Sequence, residues 1–144
     1  MKRMAVPHAP AAVLIVEDEP ALQESLRRAL EHAGYPTDVA FDCRKAIERL
    51  AGPPLDVVCI DLCLPDQSGY ELCEYIRRTP ATADVPIVFM GDGAFPEHMV
   101  YAEMAGANAF LEKPFPVEAL VRCIESLLDR APASTTKTHV LRMP

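Results

Sequence analysis

Residues 55–69 read LDVVCIDLCLPDQSG, an apolar run that stops on a carboxylate, Asp61, and gives way to a stretch rich in turn residues. Val57 to Ile60 suit a strand buried on both faces, because an uninterrupted apolar run offers no side to water. Asp has an ordinary use at such a point: its short side chain hydrogen-bonds nearby backbone where strands end. A chemical role for Asp61 requires partners from elsewhere in the chain.

Working outward, "AVLIV" (Ala12 to Val16) and "IVFM" (Ile87 to Met90) are strands of the same buried kind. "TDVAF" (Thr37 to Phe41) and "AFL" (Ala109 to Leu111) are shorter or more polar and suit sheet edges. Between them, Leu22, Leu26, Ala29, Leu30 and Ala33 repeat at helical spacing after Pro20, with Gly34 as the C-terminal stop. The last helix carries Val117, Leu120, Val121, Ile124, Leu127 and Leu128 on one stripe after Pro116. Weaker helical patterns cover Arg44 to Leu50, Tyr70 to Arg77 and Glu97 to Ala105.

The pattern is (βα)5. Strands joined by helical crossovers run parallel with right-handed connections, so an α/β fold is expected, a doubly wound parallel five-stranded sheet. Ligands of such sheets bind beyond the carboxyl ends of the strands, where the strand order reverses. Chemistry should therefore follow strands 1, 3, 4 and 5.

Glu17, Asp18 and Glu19 follow strand 1, Asp61 ends strand 3, and Glu112-Lys113-Pro114 follows strand 5. Singly, each has a plain use: Asp18 or Glu19 caps the first helix, and Lys113 is a solvated loop lysine. Gathered at one end of one sheet, three carboxylates raise one another's pKa unless cations sit among them. Lys113 supplies one positive charge, and Mg2+, which suits carboxylates, waters and a phosphate oxygen, would supply more. A carboxylate exposed among such cations is a candidate nucleophile able to form an aspartyl-phosphate, and Asp61 is the obvious acceptor.

The chain's 144 residues suit one domain, and a domain of this size buries about 68–70% of its unfolded surface. The domain is placed at 12–130, with a flexible segment at 1–11 and a flexible tail at 131–144. Four of the 14 basic residues (Lys2, Arg3, Lys137 and Arg142) lie in the ends, leaving ten against 21 acidic ones between them. So acidic a body should repel nucleic-acid phosphates. The longest apolar run, Ala9 to Val16, falls well short of the roughly 20 residues that span a bilayer, and the N-terminus lacks a signal-peptide core. A cytoplasmic protein with no membrane contact is the expectation. Five cysteines without a C-x-x-C pair, and four dispersed histidines, indicate neither a disulfide framework nor a zinc site.

"VLIVEDEP", "IDLCLPDQSG" and "FLEKPF", in that order and spacing, make the chain resemble the receiver domain of bacterial two-component response regulators, from Ala12 to Arg130. The resemblance implies the flavodoxin-like strand order 2-1-3-4-5. It also implies Asp61 as phosphoacceptor, Glu17 and Asp18 as the acidic pair for Mg2+, the backbone carbonyl of Cys63 as a further ligand, and Lys113 as the phosphoryl contact before a cis proline. Phe110 stands where such domains carry a switch aromatic; plain core packing is its other reading.

One departure follows strand 4. Receivers carry a Ser or Thr there, whereas "VFMGDGAF" puts Gly91 at that position and Asp92 beside it, and no Ser or Thr occurs between Ala83 and Glu125. The glycines make a permissive loop, and an inward Asp92 would oppose an incoming phosphoryl group. The leading expectation is a single-domain response regulator taking a phosphoryl group from a sensor histidine kinase or a histidine phosphotransfer protein. It would signal to a downstream protein target with altered switching. A homodimer through helix 4, strand 5 and helix 5 is a habit of that family. A degenerate receiver acting as a phosphorylation-independent interaction module is the alternative. A phosphohydrolase is disfavoured by Cys63, which stands where a second acid belongs, and a flavodoxin-like cofactor binder by the acidic loop after strand 1.

Overall fold

In the computed structural model, residues 11–92, 97–129 and 141–143 are described. The segment expected to be flexible at 1–11 and the tail at 131–144 lie largely outside these residues.

The apolar runs form the interior of one parallel sheet. Strands β1 (Val13–Val16), β3 (Val57–Asp61) and β4 (Ile87–Asp92) are buried along nearly their whole length, and β5 (Ala109–Lys113) over its first three residues. Their two faces feed two cores, as the two-residue period of a strand requires. Leu14, Val16, Val58, Ile60, Phe89 and Phe110 point into one. Val13, Ile15, Cys59, Val88, Met90 and Leu111 point into the other.

Helices cover both faces. On the first, α2 (Cys43–Leu50), α3 (Gly69–Arg78) and α4 (Glu97–Ala105) contribute Ala46, Leu72, Ile76 and Ala102. On the second, α1 (Pro20–His32) and α5 (Val117–Asp129) contribute Leu26, Leu30, Leu120 and Ile124. Strand β2 (Thr37–Ala40) closes one edge, with Asp38 and Val39 facing water.

The strand order is β2-β1-β3-β4-β5, all parallel, with Val13 opposite both Thr37 and Val57. The chain steps outward from β1 to β2 and then returns to lay β3 on the other side of β1. The reversal point, where ligands gather in such sheets, therefore lies above β1 and β3. A sixth strand, β6 (Leu141–Met143), runs parallel to β5, with Leu111 opposite Met143. Three residues of the predicted tail thus pair with an edge whose backbone groups would otherwise lack strand partners.

Local chemistry fixes the ends of the helices. Gly34 (φ 99°) takes the left-handed position just past α1, where its N–H donates to Glu31 O at 3.0 Å. Ser68 Oγ accepts from Glu71 N at the start of α3, and Asp42 Oδ1 from Lys45 N at the start of α2. At the sheet end remote from the carboxylates, Arg77 donates to the carbonyls of Ala83, Val85 and Gly106 and to Asn108 Oδ1, all within 3.0 Å. One guanidinium so ties α3 to the approach to β4 and the turn before β5.

Candidate functional site

Glu17 is the first residue past β1 and Asp61 the last of β3, so adjacent parallel strands deliver both to the same edge. Both are buried, at 1% and 6% exposure. Lys113, the last residue of β5, reaches over the end of β4 to place Nζ 3.1 Å from Glu17 Oε1 and 3.4 Å from Asp61 Oδ2. Asp18 is exposed beside them, and carboxylate oxygens of Glu17, Asp18 and Asp61 lie within 4.8 Å of one another. The sequence-predicted acids and lysine converge.

Asp61 also performs its ordinary turn role, with Oδ1 accepting from Cys63 N at 3.2 Å while Oδ2 faces Lys113. Glu17 Oε2 accepts from Glu19 N at 3.2 Å, and Gln23 Nε2 donates to Glu17 O at 2.8 Å, so α1 holds its backbone in place. Glu19 occupies the N-cap position of α1, yet its side chain makes no capping bond. The capping explanation for the acidic run therefore fails for Glu19. The Lys113-Pro114 peptide is cis.

Burial raises the Glu17 pKa, the charge on Asp61 raises it further, and Lys113 only partly offsets them. Burial depresses Lys113, but Asp61 and Glu17 outweigh it and hold the ammonium pKa above its usual value. The site is thus short of positive charge. A hard, all-oxygen donor set of three carboxylates, with one member open to water, fits Mg2+.

The loop after Asp61 is fastened at several points. Gly69 N donates to Leu62 O at 2.9 Å, and Cys63 pairs with Ser68 in an isolated bridge. A Cβ on Gly69 would lie 2.5 Å from Asp61 O, so the doubled-back chain has no room for another residue there. Asp66 accepts from Cys43 N at 3.0 Å and Arg44 N at 3.1 Å, a second acidic cap on α2. Sequence reasoning passed over Asp66, whose partners lie more than twenty positions away.

Gly91 corrects one expectation. It is a buried residue of β4 opposite Glu112, not part of a permissive loop, and its backbone angles are not those that favour glycine. A Cβ at 91 would stand 2.6 Å from Leu62 Cδ1 and 3.0 Å from Leu62 Cγ, so a larger residue there would need the Leu62 side chain to turn aside. Asp92 ends β4, exposed and in register with Lys113, and is not one of the three acids that converge. Gly93 lies outside the described residues. Phe110 is 1% exposed in the core shared with Phe89 and Leu62, as its packing reading predicts. Of the five cysteines, Cys43, Cys59, Cys73 and Cys123 are buried, Cys63 is exposed, and none is bonded to another.

Comparison with known proteins agrees with this geometry. Residues 13–125 match the response regulator receiver domain. The response regulator MprA of Mycolicibacterium vanbaalenii is 36% identical over 121 residues, covering 84% of this chain and 52% of its own length. RpaA of Synechocystis, described as a DNA-binding dual master transcriptional regulator, is 30% identical over 138 residues, covering 90% and 55%. A putative response regulator from Chloroflexus aurantiacus superposes with a TM-score of 0.80 at 31% identity, covering 84% of this chain and 99% of that structure. The chemotaxis response regulator CheY4 of Vibrio cholerae gives 0.78 at 27%, covering 82% and 98%.

The chain belongs to the response regulator receiver family, the phosphorylation-linked, magnesium-associated domains of two-component signalling. It spans about half the length of the curated relatives it matches. Among the described residues, no helix is long and apolar enough to cross a membrane.

Proposed function

We propose that this receiver accepts a phosphoryl group on Asp61 from the phosphohistidine of a sensor kinase or a histidine phosphotransfer protein. The observation that carries the reading is the Lys113 ammonium, held 3.4 Å from Asp61 and 3.1 Å from Glu17 above the reversal point of the sheet. A carboxylate oxygen of Asp61 attacks phosphorus, an O–P bond forms as the P–N bond breaks, and the imidazole nitrogen keeps the electron pair and takes a proton from solvent. Lys113 orients the acceptor and meets the negative charge of the transferring group. Glu17, Asp18, Asp61 and the Cys63 carbonyl are the residues that would hold Mg2+. The ion, when bound, neutralises the carboxylates and draws charge from the phosphoryl oxygens.

Output passes by protein contact, and α4 offers the surface. Val100, Tyr101 and Met104 are more than half exposed on it, an apolar stretch suited to a downstream protein or to a second copy through α4, β5 and α5. The phosphorylation-independent module remains the second reading, favoured by the missing hydroxyl at position 91.

Fluorine NMR with beryllium fluoride, which assembles a phosphoryl mimic on a reactive aspartate, tests the proposal. A bound-fluoride signal that requires both Mg2+ and Asp61 is expected. Its absence in wild type at saturating Mg2+ would favour the module.

A further inference from the structure

Within the order β2-β1-β3-β4-β5, strand β5 has β4 on one side and lies at the border of the sheet on the other. It is five residues long and opens with the apolar run Ala109, Phe110 and Leu111. Successive strand residues turn their N–H and C=O groups to opposite neighbours, so about half of those on β5 face away from β4. A long, apolar edge of this kind is a ready template for a strand from another chain. α4 covers one face of the sheet and α5 the other, so the edge runs between the two helices.

Leu141–Met143 lies along that edge as β6, with Ala109 opposite Leu141, Phe110 opposite Arg142 and Leu111 opposite Met143. Its direction follows from the topology. α5 returns the chain to the end of the sheet where β5 begins, so a segment laid on β5 from there runs parallel, like every other strand. Residues 130–140 join α5 to β6, ample chain for the crossing at about 3.3 Å per extended residue.

β6 is itself a poor template. It is three residues long, has Arg142 at its centre, and is followed by Pro144, which has no N–H to donate. Shortness, charge and proline are the means by which sheet edges resist further pairing. The chain has thus replaced a long apolar border with a short, charged one.

We propose that Leu141–Met143 is a strap that closes the β5 edge against strand pairing with a second copy of the chain, and that β5 becomes an interaction surface when the strap leaves. The contact it prevents is β5 against β5 of the second copy, antiparallel across a two-fold axis, the self-complementary arrangement that one edge can make with itself. This inference is independent of phosphorylation of Asp61, since it needs only the strand order and the segment that ends it.

The test uses the full chain carrying Leu141→Pro and Arg142→Pro together. Neighbouring residues face opposite sides of a strand, so one of these two gives its N–H to β5, and the pair of prolines removes that donor whichever it is. Leu141→Gly with Met143→Gly, which weakens the strand without fixing φ, is the second variant.

Amide exchange at Ala109, Phe110 and Leu111, measured at a concentration where each protein is monomeric, reads the strap. The alternate set facing β6 should exchange several-fold faster in the variants, while the set bonded to β4 keeps its protection. Unchanged exchange, or equal speeding of both sets in both variants, would overturn the strap. Sedimentation velocity over a concentration series reads the closure. Wild type should stay monomeric and the variants should form dimers as concentration rises, with the β5 protection returning in the dimer. A dimeric wild type would overturn closure within one chain, and variants that expose β5 yet stay monomeric at every concentration would overturn the guarding role.

Discussion

Lys113 Nζ bridges Glu17 Oε1 at 3.1 Å and Asp61 Oδ2 at 3.4 Å by crossing the end of β4, the strand that separates its own from that of Asp61. Replacing Lys113 with Met removes the cation that, among the described residues, pairs with both buried acids. Breaking a fully buried pair costs about 3–5 kcal/mol, but Lys113 is 27% exposed and solvent screens part of the interaction, so a loss of about 1–3 kcal/mol is expected at neutral pH. Urea unfolding in the presence of EDTA measures it, and added Mg2+ should recover more stability in the variant than in wild type.

Glu17 gives the pH dependence a definite sign. Its folded pKa is raised, by burial first and the Asp61 charge second, so between the ordinary value of about 4.3 and the folded value the native state binds the proton more readily. Stability of the metal-free protein therefore falls as pH rises through that window. Glu17→Gln should be more stable than wild type in EDTA at neutral pH, should lose that advantage below about pH 4, and should reverse order at high Mg2+. Thermal unfolding across this range decides; a variant weaker than wild type throughout would contradict the assignment.

Asp66 anchors the loop that follows the acceptor. Burial is the largest single influence and raises its pKa, but the N–H bonds from Cys43 and Arg44, with smaller contributions from its own N–H and the Cys43 thiol, together outweigh it and lower the pKa. Asp66→Ala should cost about 1 kcal/mol, the usual worth of such a cap, and Asp66→Asn less. Because the folded pKa is depressed, the deficit should be present above the ordinary Asp pKa and disappear as pH falls below the folded one.

Arg77 supplies a control remote from the site. Arg77→Ala leaves the carbonyls of Ala83, Val85 and Gly106 and the Asn108 oxygen without the donor they share. The three carbonyls are part-buried and open to replacement water, and Asn108 Oδ1 keeps its bond from Ile87 N at 2.8 Å, so a total loss of about 1–3 kcal/mol is expected. Arg77→Lys should rescue little, since an ammonium cannot match the planar fork. Mg2+ affinity, measured by calorimetry below the unfolding transition, should stay unchanged.

Much of this was readable from the chain. Ala12 to Val16, Val57 to Ile60 and Ile87 to Met90 declare themselves because strands buried on both faces must be apolar, and the parallel topology then brings Glu17, Asp61 and Lys113 together. The contacts that tune the site were hidden, because they join side chains at separations no periodicity encodes. Asp66 meets Cys43 and Arg44 on another helix, Arg77 meets Gly106 and Asn108, and Leu62 meets Gly91 only once β3 and β4 are paired. Gly91 looked like a loop glycine because a glycine beside an aspartate resembles a turn; paired with Glu112, it is a buried strand residue. β6 went unseen because three residues carry too little pattern to stand out.

Intact mass after incubation with a small-molecule phosphodonor, with and without Mg2+, beside an Asp61→Asn control, tests the central claim most directly. Gain of one phosphoryl group that requires both the ion and Asp61 is the predicted result. An adduct that survives in Asp61→Asn, or none in wild type where Mg2+ binding and transfer from histidine kinases have also been checked, would contradict it.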